Sequence, residues 1–97
     1  MDYNILLKEL SEQSSDITLG TAATYIYTGP GGNTWALPSL SANSGKRYQI
    51  KNAGSGNLVI ASGGTDHMYD NTSVTSITLT PSETKEVIAG SGFWYVL

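Results

Sequence analysis

The stretch Arg47-Tyr48-Gln49-Ile50-Lys51-Asn52-Ala53-Gly54-Ser55-Gly56-Asn57-Leu58-Val59-Ile60-Ala61 decides how the rest of the chain is read. Its first residues alternate, with Tyr48 and Ile50 on one face and Arg47, Gln49 and Lys51 on the other. That period of two belongs to a strand with one buried side. Ala53-Gly54-Ser55-Gly56 interrupts with turn formers and Leu58-Val59-Ile60-Ala61 resumes a β-forming run, so the segment predicts a hairpin, closed by Gly63-Gly64. Outward from it the same pattern repeats. On the N-terminal side Tyr25-Ile26-Tyr27 ends at Gly29-Pro30-Gly31-Gly32, and Thr34-Trp35-Ala36-Leu37 stops at Pro38. On the C-terminal side come a short run around Met68-Tyr69, the alternating Ser76-Ile77-Thr78-Leu79-Thr80 before Pro81, and Lys85-Glu86-Val87-Ile88-Ala89. Gly90-Ser91-Gly92 then turns into Phe93-Trp94-Tyr95-Val96-Leu97. Seven or eight short strands spaced by about eight to twelve residues predict an all-β fold, a small antiparallel β-sandwich or barrel-like domain.

The N-terminal segment follows a different period. From Asp2 to Gln13 good helix formers dominate, Leu6 and Leu10 stand four apart, and Tyr3, Leu6 and Leu7 fall on one side. A short helical or extended segment over residues 1–16 is therefore expected ahead of a β-body over 17–97. Residues 1–16 also carry the whole net charge of -3, since the acidic and basic residues of 17–97 balance. A helix of this length is marginal alone and needs a surface to lie on. The apolar residues Tyr3, Ile5, Leu6, Leu7 and Leu10 are the candidates to dock on one, with Ser11, Ser14 and Ser15 as a polar hinge.

At 97 residues the chain makes one domain. Cysteine is absent and His67 is the only histidine, which removes disulfide scaffolds, thiolate zinc sites and cysteine catalysis. Leu, Ile, Val and Phe supply only 21 positions, while Ser, Thr, Asn and Gly supply 40. So small a core favours association with other chains. The body is neutral, and its one local excess of positive charge, Lys46, Arg47 and Lys51, sits at solvated strand positions, so no nucleic-acid partner is expected. No apolar run reaches the length of about 18 residues that spans a bilayer, and no leader pattern opens the chain, so synthesis in a cytoplasm and no membrane partner are expected.

Catalytic patterns are thin. Asp66-His67-Met68-Tyr69-Asp70 gathers the histidine between carboxylates, yet its spacing matches neither a zinc pattern nor a calcium loop. Glu83 with Glu86, or Asp66 with Asp70, has the composition of a glycosidase pair, but all four lie beside turn residues. No nucleophile elbow accompanies the serines, the glycine clusters lack the helix of a phosphate loop, and Asn71-Thr72-Ser73 reads as a polar turn. The expectation is a protein that is not an enzyme and takes no cofactor and no metal.

The aromatic residues are the remaining candidates. In the last strand Phe93 and Tyr95 fall on one face and Trp94 and Val96 on the other, making both faces apolar where a monomeric sandwich needs only one. Trp35, Phe93, Trp94, Tyr95 and Val96 are accordingly expected at packed or subunit-contacting positions. Tyr27 and Tyr69, beside turns, are expected to be exposed and are the candidates to stack on a sugar ring.

Taken in order, Trp35-Ala36-Leu37-Pro38, the Ser44–Ile60 segment, Ile77-Thr78-Leu79-Thr80 and Gly90-Ser91-Gly92-Phe93-Trp94-Tyr95-Val96-Leu97 resemble the small β-domains of bacteriophage fibre and capsid-decoration proteins. The resemblance spans about residues 24–97. The hairpin and the closing aromatic strand together are distinctive, whereas each alone is a common β pattern. It implies a virion structural protein at the particle surface, assembled as a homotrimer. No shaft repeats precede the domain, which favours a capsid decoration or head-fibre protein held to the major capsid protein by residues 1–16. With Leu97 at the end of the last strand, the β-body is expected to be the distal part. The alternative is a tail-fibre tip or adhesin that binds host polysaccharide.

Overall fold

The structure, a computed structural model, describes residues 10–97. It is all-β. The strands are β1 (Leu10–Gln13), β2 (Ile17–Thr18), β3 (Thr24–Tyr27), β4 (Asn33–Ala36), β5 (Arg47–Asn52), β6 (Leu58–Ala61), β7 (His67–Tyr69), β8 (Ser73–Val74), β9 (Ser76–Leu79), β10 (Thr84–Ala89) and β11 (Phe93–Val96), with a single 3-10 turn at Leu40–Ala42. They build a seven-stranded sheet in the order β1-β3-β5-β10-β11-β7-β8 and a four-stranded sheet in the order β2-β4-β6-β9.

Up to β6 the chain changes sheet at every step. β1, β3 and β5 lie side by side in the larger sheet and β2, β4 and β6 in the smaller, each parallel to the one before. Parallel neighbours cannot be joined by a tight turn. Here the crossover is a strand of the opposite sheet, so the first half of the molecule is a stack of flattened coils. Direction then reverses: β9 runs antiparallel to β6, β10 to β5 and β11 to β10. β7 joins β11 in parallel, and β8 returns beside β7.

This mixed topology corrects the expected antiparallel sandwich of seven or eight strands, since eleven strands are found among the described residues. Arg47–Ala61 is likewise no hairpin, because β5 and β6 belong to different sheets. Asn52 is the reason. Its side chain is fully buried, its Oδ1 accepts from the Gly54 N–H, and its Nδ2 donates to the carbonyls of Gly56 and Leu79, each at 2.9 Å. The corner is thereby held as an arch that carries the chain across the core. The arch rests on the one between β3 and β4, where Ala53 N donates to Tyr27 O and Ser55 N to Gly29 O.

Of the helical or extended segment expected over residues 1–16, the helical alternative is corrected as far as the structure describes it. Residues 10–13 form β1, paired with β3 from Leu10↔Thr24 to Gln13↔Tyr27. Ladder bonds offered by an open strand edge outweigh the modest helix preference of four residues. Residues 1–9 lie outside the described residues. Residues 15 and 16 are bonded into the body too: Trp35 Nε1 donates to Ser15 O at 2.8 Å, and Asp16 Oδ1 accepts from Asn33 Nδ2 at 2.8 Å and Thr34 N at 3.0 Å. The β-body therefore includes residues 10–16, which the sequence placed in the anchor.

Between the sheets runs a row of rings packed edge to face, except for a tilted pair, Tyr48 and Trp94, at its end. Tyr27 meets Trp35 at 5.6 Å between centroids, Trp35 meets Tyr25 at 5.9 Å, Tyr25 meets Tyr48 at 5.8 Å and Tyr48 meets Trp94 at 5.7 Å. Leu58, Ile60, Leu79, Met68 and Val87, all fully buried, fill the space around it. Each ring pair adds about 0.5–1.5 kcal/mol beyond the area it buries.

Close stacking of the arches makes a prediction. A Cβ on Gly54 would overlap the Gly29 carbonyl, whereas a Cβ on Gly92 meets nothing within 4 Å. Gly54→Ala is expected to cost about 1–3 kcal/mol of stability and Gly92→Ala less than about 0.5 kcal/mol. Urea unfolding of the two variants measures this, and equal midpoints would contradict the stacked arches.

Candidate functional site

The parallel pair β7 and β11 brings together residues far apart in sequence, in the register Phe93↔His67, Trp94↔Met68 and Tyr95↔Tyr69. Met68 and Trp94 point inward and are fully buried. By the alternation of a strand, His67, Tyr69, Phe93 and Tyr95 point outward. Three of these form a cluster: Tyr69 to Phe93 is 5.6 Å between ring centroids, Phe93 to Tyr95 is 5.9 Å and Tyr69 to Tyr95 is 6.0 Å. Tyr69 and Tyr95 are 41% and 38% exposed, so the cluster faces solvent.

β7 and β11 start at the same end of the sheet, and there a cleft of about 370 Å³ opens among Leu40, Ser41, Ser44, Asp66 and the Gly90-Ser91-Gly92 turn. Asp66 is fixed in it, because its Oδ2 accepts the Leu40 N–H at 3.0 Å and so holds the start of the 3-10 turn. A second cleft of about 620 Å³, which shares Ser41 and Asp66 with the first, is lined also by Pro38, Ser39 and Gly63-Gly64. Among the described residues Asp66 is the one charged residue lining either cleft.

The expected site residues divide as follows. Tyr69, Phe93 and Tyr95 come together on the outer face. Tyr27 does not join them: it is fully buried, donating its hydroxyl to Asn33 Oδ1 and accepting the Gly31 N–H, which corrects its expected exposure. Its strand position set its direction more strongly than the neighbouring turn did. Trp35 and Trp94 are fully buried in the chain's own core and present no surface to another subunit, while Val96 packs against that core and is only partly buried. Of the anchoring candidates, Leu10 is 41% exposed on the outer face of β1, while Tyr3, Ile5, Leu6 and Leu7 lie outside the described residues.

The carboxylates weighed as catalytic pairs have other partners. Glu83 Oε1 accepts from the Thr80 N–H and hydroxyl, which hold its carboxyl below the usual range, the opposite of what a general acid needs. Glu86 lies 3.5 Å from Arg47 in a surface ion pair. Lys46 and Lys51 donate to the carbonyls of Thr21 and Ser82, so the basic trio is turned onto its own surroundings. Among the described residues no three His, Cys, Asp or Glu side chains gather to hold a metal ion. No helix there is long and apolar enough to cross a membrane. Burial, and then the neighbouring Tyr25, push the Tyr48 hydroxyl up to about 12, keeping it a donor to Gly20 O.

The aromatic cluster escaped the sequence reading because it depends on the β7–β11 pairing, which no local period reveals. In both His67-Met68-Tyr69 and Phe93-Trp94-Tyr95 the middle residue is buried and the tyrosine that follows it is exposed. The chain matches no protein-family model, no curated protein and no solved structure.

Asp16 makes the pH dependence testable. Its carboxyl is held below the usual range by the Asn33 side-chain amide first and the Thr34 N–H second. A carboxyl depressed in the folded state stabilises it above the unfolded value, near pH 4, and that contribution is lost as pH falls through the folded one. The thermal midpoint is expected to fall below about pH 4, and Asp16→Asn, which keeps the acceptor but not the charge, to make the fall shallower. An unchanged slope would contradict the role given to Asp16.

Proposed function

We propose that the chain is a bacteriophage virion structural protein, a homotrimeric capsid decoration or head-fibre protein fastened to the shell by its N-terminal segment. The observation that carries this reading is the placement of β1 and of the aromatic cluster toward opposite edges of one sheet. β1, which receives the N-terminal segment, is one edge strand of the seven-stranded sheet; β7 and β8, beside the exposed aromatic cluster, form the opposite edge. Four strand steps of about 4.8 Å separate β1 from β11. A body tied down at β1 holds the aromatic end away from its attachment. The resemblance to phage decoration and fibre domains over residues 24–97 supports the same reading.

We assign subunit contact to the outer face of the four-stranded sheet. Thr34, Ala36, Val59, Ala61, Ser76 and Thr78 occupy its outward positions and include no charge. The outer face of the larger sheet, by contrast, carries the Arg47–Glu86 pair. A solvated sheet face ordinarily carries charge, and one without it is suited to converge with the same face of two other copies around a threefold axis. Val59→Lys is expected to reduce the assembly from about three times 10.3 kDa to a single chain without unfolding it. Light scattering with circular dichroism reads both, and a single-chain mass for the unaltered protein would overturn the trimer.

Three linked anchors multiply a weak docking of each. In the full chain, Leu6→Glu with Leu7→Glu is expected to abolish binding to particles of the encoding phage that lack the protein, while leaving the trimer intact. Undiminished binding in a cosedimentation assay would contradict the anchor.

A further inference from the structure

We propose that the end of the body formed by the Tyr69, Phe93 and Tyr95 cluster and the adjoining Asp66 cleft is a binding site for an uncharged saccharide chain. This assignment rests on the aromatic surface, the cleft and their charge, and stands independently of the virion reading.

The size of the aromatic surface selects the ligand. With Tyr69 and Tyr95 about two-fifths exposed and Phe93 more covered, the cluster shows on the order of 200 Å² of ring to water. A stable protein contact takes about 800 Å² from each partner. Beyond the cluster the apolar surface is short: the row Tyr69, Tyr95, Ile88 crosses from β7 to β10 and ends at Arg47, which is paired with Glu86, and along β11 it reaches only Leu97, whose N–H bonds the Glu86 carbonyl. A patch of this extent accommodates a sugar ring or two. The C–H bonds on the face of a pyranose are weakly positive and lie well against the negative face of an aromatic ring.

The cleft supplies the polar half of such a site. Ser41, Ser44 and Ser91 line it with hydroxyls able to donate and accept, as sugar hydroxyls require. Asp66 is committed through Oδ2 to the Leu40 N–H. Among the described residues its Oδ1 takes no hydrogen bond, which leaves it open to accept from a sugar hydroxyl. No Lys or Arg among the described residues lines either cleft, so a phosphate, sulfate or uronate would meet Asp66 with no compensating charge. The ligand class is therefore a neutral oligosaccharide, with one ring stacked at Tyr95 or Tyr69 and the next reaching toward Asp66.

The test is a titration of the full chain, followed by ¹H–¹⁵N NMR, with hexamers of glucose, mannose, galactose and N-acetylglucosamine, and hyaluronan as the anionic comparison. Concentrations up to about 10 mM saturate a site whose Kd is about 1 mM. At least one neutral hexamer is expected to shift amides within 66–69 and 90–95. Tyr95→Ala and Tyr69→Ala are each expected to weaken that binding about three- to tenfold, with the thermal midpoint confirming that both variants fold. Gln49→Ala, on the same sheet but on β5, leaves it unchanged. The proposal is overturned if no neutral hexamer shifts these amides, if hyaluronan alone does, or if the tyrosine variants bind as well as the parent. It is equally overturned if the cluster proves to mediate self-association that Tyr95→Ala removes.

Discussion

The row of rings from Tyr27 through Trp35, Tyr25 and Tyr48 to Trp94 is the constraint on which the rest of the molecule depends. A chain with only 21 Leu, Ile, Val and Phe residues has to fill the space between its sheets with amphipathic rings instead. Each buried ring brings a hydroxyl or indole N–H that needs a partner. Tyr25 accepts from Gly20 N and Tyr48 donates to Gly20 O; Tyr27 ties Gly31 to Asn33; Trp35 donates to Ser15 O and Trp94 to Pro38 O. No buried side-chain nitrogen or oxygen among the described residues is left without a partner. The core thereby fastens its own loops. A protein without disulfides obtains at the ring tips the loop order that cross-links supply in other small domains.

What could be read from sequence was whatever depends on neighbours in the chain. The alternation of Arg47–Asn52 gave its faces correctly, as did that of Phe93–Val96, where Trp94 is buried and Tyr95 exposed. What depends on distant partners could not be read. Ala53–Gly56 has the composition of a hairpin turn, and only the three hydrogen bonds of Asn52, one of them to Leu79, make it an arch. Leu10–Gln13 has helical composition but lies beside the open edge of β3, whose position no local pattern encodes. Tyr27 and Tyr69 look alike in sequence, each next to a turn. One points between the sheets and the other out of them, and that difference decides which can touch a ligand.

The two halves of the topology suit different tasks. The stacked parallel coils receive the N-terminal segment at β1, and their arches pack closely enough to require glycine. The antiparallel strands that follow cover the last coil and carry the sheet on to β7 and β8, where the rings that the core does not use face outward. In the function we propose, a body fastened at one edge and open to its surroundings at the other joins a decoration role to saccharide recognition in a single sheet. The measurement that tests this account most directly is the orientation of the body on a decorated particle, seen by cryo-electron microscopy. The account predicts β1 nearest the shell and Tyr69, Phe93 and Tyr95 on the outward side; density that places the aromatic edge against the shell would contradict it.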